Sequence, residues 1–207
     1  MTRLRPDQRR RALVDAALRV ISRAGVRGAT TRAIVAEAGM PLGSFHYVFQ
    51  SRDAMLRDLV GVVVDQERRV ASDAVRDGGD IRATVRSALQ AYFDLVVADP
   101  SREQAMFELL HYALRTVGLD DLPAAQYRSY RDAAVELLKL GAERTGVRWT
   151  RPVDDLARLV VTFTDGLTLG WLADRDDAAA GRAMDAAADA LAAFAEPAIA
   201  ATMRRSA

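Results

Sequence analysis

Apolar residues recur at three- and four-residue spacing along almost the whole chain, and no stretch alternates apolar with polar positions for the length of a strand. The pattern predicts an all-α fold of about nine helices. From Asp7 to Ala24, the residues Leu13, Ala16, Ala17, Val20, Ile21 and Ala24 make one apolar face, and Gly25 ends that first helix. Thr30 and Thr31 cap a second helix that runs to Ala38 with Ile34 and Val35 inward, and Gly39 closes it. After the turn Gly39-Met40-Pro41 a third helix spans about Leu42 to Val48, and Ser51 caps a fourth that runs to about Arg76.

The run Asp77-Gly78-Gly79-Asp80 is the clearest break in the chain, with Asp80 placed to cap a fifth helix reaching Ala98. Pro100 starts a sixth that ends near Gly118. A seventh follows Pro123 and runs to about Thr145, and a polar loop covers Gly146 to Pro152. The eighth spans Val153 to Ala173, and an alanine-rich last helix follows Asp177, runs through Phe194 and kinks or ends at Pro197.

Composition narrows the chemistry. Without a cysteine in 207 residues there is no disulfide framework, no thiolate metal site and no cysteine nucleophile. The amino terminus lacks a signal peptide's apolar core, and apolar runs such as Leu59 to Val64 fall short of a membrane span, so the expectation is a soluble cytoplasmic protein with no membrane partner. The net charge of +1 hides an asymmetry. Residues 1–52 hold ten arginines against Asp7, Asp15 and Glu37, a local charge of +7, while the remainder carries −6. A basic first quarter on an acidic body suits a segment that meets a polyanion.

The second and third helices, joined at Gly39, fit a helix-turn-helix. Leu42, Gly43 and Ser44 open the recognition helix, where small residues let the backbone approach base edges and the Ser44 hydroxyl can reach a base or phosphate. Phe45, Val48 and Phe49 lie inward, leaving His46 and Tyr47 outward to hydrogen-bond phosphates. Thr30 and Thr31 offer hydroxyls beside free helix-start amides, Arg32 can reach guanine, and Arg52 reads as a phosphate clamp.

Residues 12–59 therefore resemble the DNA-binding domain of the TetR (tetracycline repressor) family of bacterial regulators, on Gly25, Thr30, Ile34, Val35, Ala38, Gly39, Met40, Gly43, His46, Phe49, Arg52 and Leu56. His46 stands where that family usually has tyrosine, with Tyr47 beside it, and Arg52 where it usually has lysine. The resemblance implies a homodimeric repressor on a double-stranded, palindromic operator, released by a small-molecule effector bound in an all-helical body. No cofactor is expected. The expected division is residues 1–52 for DNA binding and 53–207 for ligand binding and dimerisation.

In that body, Tyr92, Phe93, Phe107, His111, Tyr112 and Phe163 are the candidate effector residues, with His111 as a polar handle in an apolar wall. Helix eight is apolar on two sides, so one side is expected to face its own core and the other a second subunit. Leu159, Gly166 and Leu169 with Ala187, Leu191 and Phe194 of the last helix are the candidate dimer contacts.

An enzyme is not expected. Glu108-Leu-Leu-His111 is a single Glu-x-x-His step where a di-iron bundle needs two, and no Ser-His-Asp order, glycine-rich phosphate loop or zinc spacing occurs. A helical carrier without DNA binding would explain the body but leave the +7 segment and the turn unexplained. A mobility shift on random duplex at low salt separates the two.

Overall fold

The computed structural model describes residues 5–75 and 79–198. Among them are nine helices: α1 Pro6–Gly28, α2 Thr31–Glu37, α3 Leu42–Val48, α4 Arg52–Ala74, α5 Ile81–Ala98, α6 Pro100–Ala113, α7 Leu122–Thr145, α8 Val153–Asp174 and α9 Asp177–Ala192. The expected end of helix four at Arg76 and the break at Asp77 and Gly78 lie outside the described residues. The chain forms two compact units, one of residues 1–67 with 95–130 and one of 68–94 with 131–207.

In the first unit α1 packs against α2, α3 and α6. Leu13, Ala16, Ala17, Val20 and Ile21 bury one face of α1, and Ile34, Val35 and Phe45 from the two short helices complete the core. A seven-residue helix is marginal alone, so α2 and α3 owe their order to this burial. Gly25 departs from helical geometry at φ 70°, ψ 170°, so α1 is two helical pieces joined by a kink at the predicted stop. Helix α6 ends at Ala113, short of the expected Gly118, because residues 114–119 continue as turns held by bonds such as Thr116 N–H to the Ala113 carbonyl (3.2 Å).

A buried charge cluster joins α4 to α6. Arg102 donates to Glu67 and to Glu103 at 3.1 Å each, and all three side chains are nearly withdrawn from water. Burial pushes the Glu103 carboxyl above its ordinary value, opposed in part by Arg102. Burial works against the Arg102 charge, but the two acids outweigh it and hold the guanidinium's pKa above its usual value.

In the second unit α8 packs on α9. Ala134, Leu138, Leu156, Ala157 and Leu191 form a core cluster, with Val85, Trp149 and Phe194 packed against it. The loop after α7 holds a strand that sequence periodicity missed. Val147–Trp149 (β1) pairs antiparallel with Ala195–Pro197 (β2), and the Trp149 indole donates to the Leu138 carbonyl at 3.0 Å. Helix α8 reaches a mean hydropathy of 1.2 over 18 residues, enough by length and composition to cross a bilayer, although no such stretch was expected. Only 28% of that window is buried.

Candidate nucleic-acid interface and effector site

The turn between α2 and α3 is built as the sequence predicts. The Thr30 hydroxyl caps α2 by accepting from the Ala33 amide at 3.2 Å, and Gly39 reverses the chain at φ 62°. Met40 N–H returns to the Val35 carbonyl and Ser44 N–H to the Pro41 carbonyl, 2.8 Å each. Inward-facing Phe45 and Phe49 stack with ring centroids 5.4 Å apart. That anchoring turns the rest of the surface outward: Thr30, Arg32, Leu42, Gly43, His46 and Tyr47 are exposed, and Thr31 and Ser44 are half-buried. A side-chain carbon at Gly43 would meet nothing within 4 Å. The chain's own packing therefore makes no demand for glycine there, and an approaching partner is a sufficient reason for it.

His46 packs edge-on to Phe45 at 5.8 Å, whereas Tyr47 is 68% exposed and carries the Arg9 guanidinium 5.3 Å from its ring centroid. An arginine stacked on a tyrosine places a cation and a phenol side by side, an arrangement suited to a phosphate oxygen. Sequence reasoning did not link Arg9 to Tyr47, since the pairing crosses from α1 to α3.

Several arginines counted in the +7 segment are engaged within the protein. Arg10 pairs with Asp58. Arg19 and Arg23 both bind Glu37, at 2.7 and 2.5 Å, and their hydrogen bonds hold its carboxyl below the ordinary range. Arg52 differs most from expectation. It is turned inward, donating to the Ala29 carbonyl at 2.8 Å and to the Val26 carbonyl, with its guanidinium 5.6 Å from the Tyr112 centroid. Sequence supplies the charge at position 52 but not its direction, and two carbonyls at the end of α1 accept its donors.

The six expected effector residues divide between the two units. Phe107, His111 and Tyr112 belong to the first unit, Tyr92, Phe93 and Phe163 to the second. His111 is exposed and its Nδ1 lies 2.8 Å from the Phe107 carbonyl, so it is no handle in an apolar wall. The buried stripe of α6 runs through Ala105, Met106, Leu109 and Ala113, and position 111 falls on the opposite arc. Phe93 is core, edge-on to Trp171 at 5.5 Å. The Tyr92 hydroxyl binds the buried Thr168 hydroxyl at 2.6 Å. Phe163 lines a cleft of 250 Å³ with Leu89, Gly166, Leu167 and Met184, smaller than the roughly 300–1,000 Å³ of usual ligand pockets. One polar group that sequence did not flag is Gln126. It is 2% exposed and its amide donates to the Tyr130 hydroxyl at 3.0 Å, leaving Oε1 without a partner. Among the described residues no three histidines or acids gather as metal ligands.

Of the expected dimer contacts, Leu169 is 58% exposed and Gly166 is exposed, but Ala187 and Leu191 are buried inside the protomer. Leu159 and Phe194 are half-buried against the core cluster. The inward stripe of α9 is Ala180, Met184, Ala187, Ala188 and Leu191, which leaves Ala183 and Ala186 outward. Alanine on both faces hid this orientation from the sequence.

Residues 13–59 match the family model of bacterial regulatory proteins of the tetR family. Residues 81–196 match the carboxy-terminal model of BetI-type transcriptional repressors. The chain belongs to the TetR family. It is a DNA-binding transcriptional repressor of that family with a ligand-binding body. The nicotine-responsive repressor HdnoR of Paenarthrobacter nicotinovorans is 30% identical over 84% of this chain and 89% of its own. Among solved structures, a transcriptional regulator of Pseudomonas aeruginosa PAO1 shares the fold at a TM-score of 0.71, with 24% identity over 92% of this chain and 93% of that one. The regulator FadR of Bacillus subtilis, solved with stearoyl-CoA, shares it at 0.69 with 14% identity over 89% and 98%.

Proposed function

We propose that this TetR-family repressor acts as a homodimer in the cytoplasm and leaves a palindromic operator when a small molecule binds its body. The observation that carries the DNA reading is the pair α2 and α3, whose apolar sides are sunk in α1 while Thr30, Thr31, Arg32, Leu42, Gly43, Ser44, His46 and Tyr47 line the free side. Residues 1–52 then read DNA, and 53–207 hold the effector and the second subunit. Tyr47, stacked by Arg9, is the principal phosphate contact of the recognition helix, and Ser44 and Arg32 read bases. Arg52 supports the site from inside.

The dimer reading rests on the exposed side of α8. Leu169, Gly166 and Gly170 leave an apolar surface on a helix whose hydropathy suits burial, and Ala183 and Ala186 of α9 extend it. A second copy of the same surface covers it by two-fold symmetry. For the effector, Gln126 Oε1 supports a ligand with a hydrogen-bond donor, set among the tyrosines Tyr127 and Tyr130. HdnoR responds to nicotine, a ring-containing amine, which makes nicotine the first probe for this chain. The test is selection of bound duplexes from a random pool, followed by release of the selected duplex with candidate ligands.

A further inference from the structure

We propose that Glu108, with Arg52, clamps the kinked end of α1 and thereby positions the DNA-facing start of α2. The proposal rests on the DNA-binding reading above. Gly25 interrupts α1 and frees the Val26 amide from the helical ladder. That amide donates to Glu108 Oε1 at 2.7 Å. The φ of +70° favours glycine at position 25, and a side-chain carbon there would stand 2.6 Å from the same oxygen and push the carboxylate off the Val26 amide.

The clamp's other jaw is Arg52, which binds the carbonyls of Val26 and Ala29. The next residue, Thr30, caps α2, and Arg32 follows two positions on. Val26 and Ala29 are fully buried, so these polar backbone groups have side chains in place of water as partners. Tyr112 lies one turn after Glu108 on α6 and supports the Arg52 guanidinium with its ring. One helix of the body thus holds both jaws. A movement of α6 that withdraws Glu108 from Val26 also carries Tyr112 away from Arg52, and the start of α2 loses its fixed position. Glu108 is a positioning residue, distant in sequence from everything it positions. The same inward Arg52 makes no phosphate contact.

The experiment compares wild type, E108A, E108Q and R52A on a duplex selected by the wild type, with affinity measured over a salt series and amide exchange followed at Val26. E108A should raise exchange at Val26 and weaken binding about tenfold or more, with the salt slope unchanged. E108Q, which keeps an acceptor oxygen, should restore most of the affinity. R52A should likewise weaken binding at constant slope. Wild-type affinity in E108A, or a slope reduced by about 0.9 in R52A, overturns the clamp while leaving DNA binding intact. A wild-type protein that selects no duplex overturns both readings. Should E108A fail to fold, E108D keeps the charge and withdraws the oxygen by one methylene, and its Val26 exchange and affinity decide the question in the same way.

Discussion

Removing Arg102 tests the electrostatics of the α4–α6 junction. Its side chain is 6% exposed and is shared by Glu103, also 6% exposed, and Glu67 at 13%. Arg102→Met would leave two carboxylates withdrawn from water without their counter-ion, and breaking a buried pair in this way costs about 3–5 kcal/mol. Against a total stability of roughly 5–15 kcal/mol that is a large fraction. For a chain of this length it corresponds to a fall in Tm of roughly 6–20 °C. The pH dependence has a definite sign. Glu103 is raised above its ordinary 4.5 in the folded protein, so its contribution to stability is complete below 4.5 and is lost as pH rises through the folded value. Without Arg102 that folded value rises further, because the opposing interaction is gone. The stability gap between wild type and Arg102→Met should therefore be widest at neutral pH and shrink as pH falls toward 4.5. Thermal unfolding from pH 5 to 8 measures the gap. A triple variant with Glu67→Leu and Glu103→Leu added should recover most of it. A loss below about 1 kcal/mol, or a gap independent of pH, would refute the reasoning.

Leu169→Arg puts a charge on the exposed side of α8 and should weaken self-association at least about a hundredfold by sedimentation, whereas Ala187→Arg should unfold the protomer, since Ala187 is buried in it. Dimers of Leu169→Arg at wild-type strength would reject that surface. Tyr47→Phe should weaken every duplex alike by up to about tenfold, while Ser44→Ala and Arg32→Ala should change which sequences a random pool yields. Tyr92→Phe should cost about 1–3 kcal/mol in urea unfolding by leaving the Thr168 hydroxyl buried without its partner. In a thermal-shift titration with a ligand found by screening, His111→Ala should match wild type and Gln126→Leu should lose response, the reverse result excluding Gln126 as the acceptor.

What was legible in the sequence was what the local backbone decides. Gly25 and Gly39 punctuate the first helices because both take positive φ, and Thr30 and Ser51 cap because their oxygens reach free amides three residues on. Outward direction on α3 followed from Phe45 and Phe49. What escaped was set by partners distant in the chain. Three-residue strands carry too little alternation to detect, and β1 exists through pairing with residues 195–197. His111 and Arg52 have the right chemistry for the roles expected of them but point elsewhere, His111 to solvent and Arg52 to the end of α1. On α9 the alanines are spaced for either face, and only Met184 and Leu191 show which one is inward.

The central claim is that the face of α2 and α3 reads duplex DNA. Selection from a random duplex pool, followed by affinity of the recovered duplex across a salt series, tests it most directly. The account predicts an imperfect palindrome with half-sites about 34–36 Å apart, and a log–log salt slope of about −0.9 for each phosphate neutralised. No enriched sequence, or binding indifferent to salt, would contradict it.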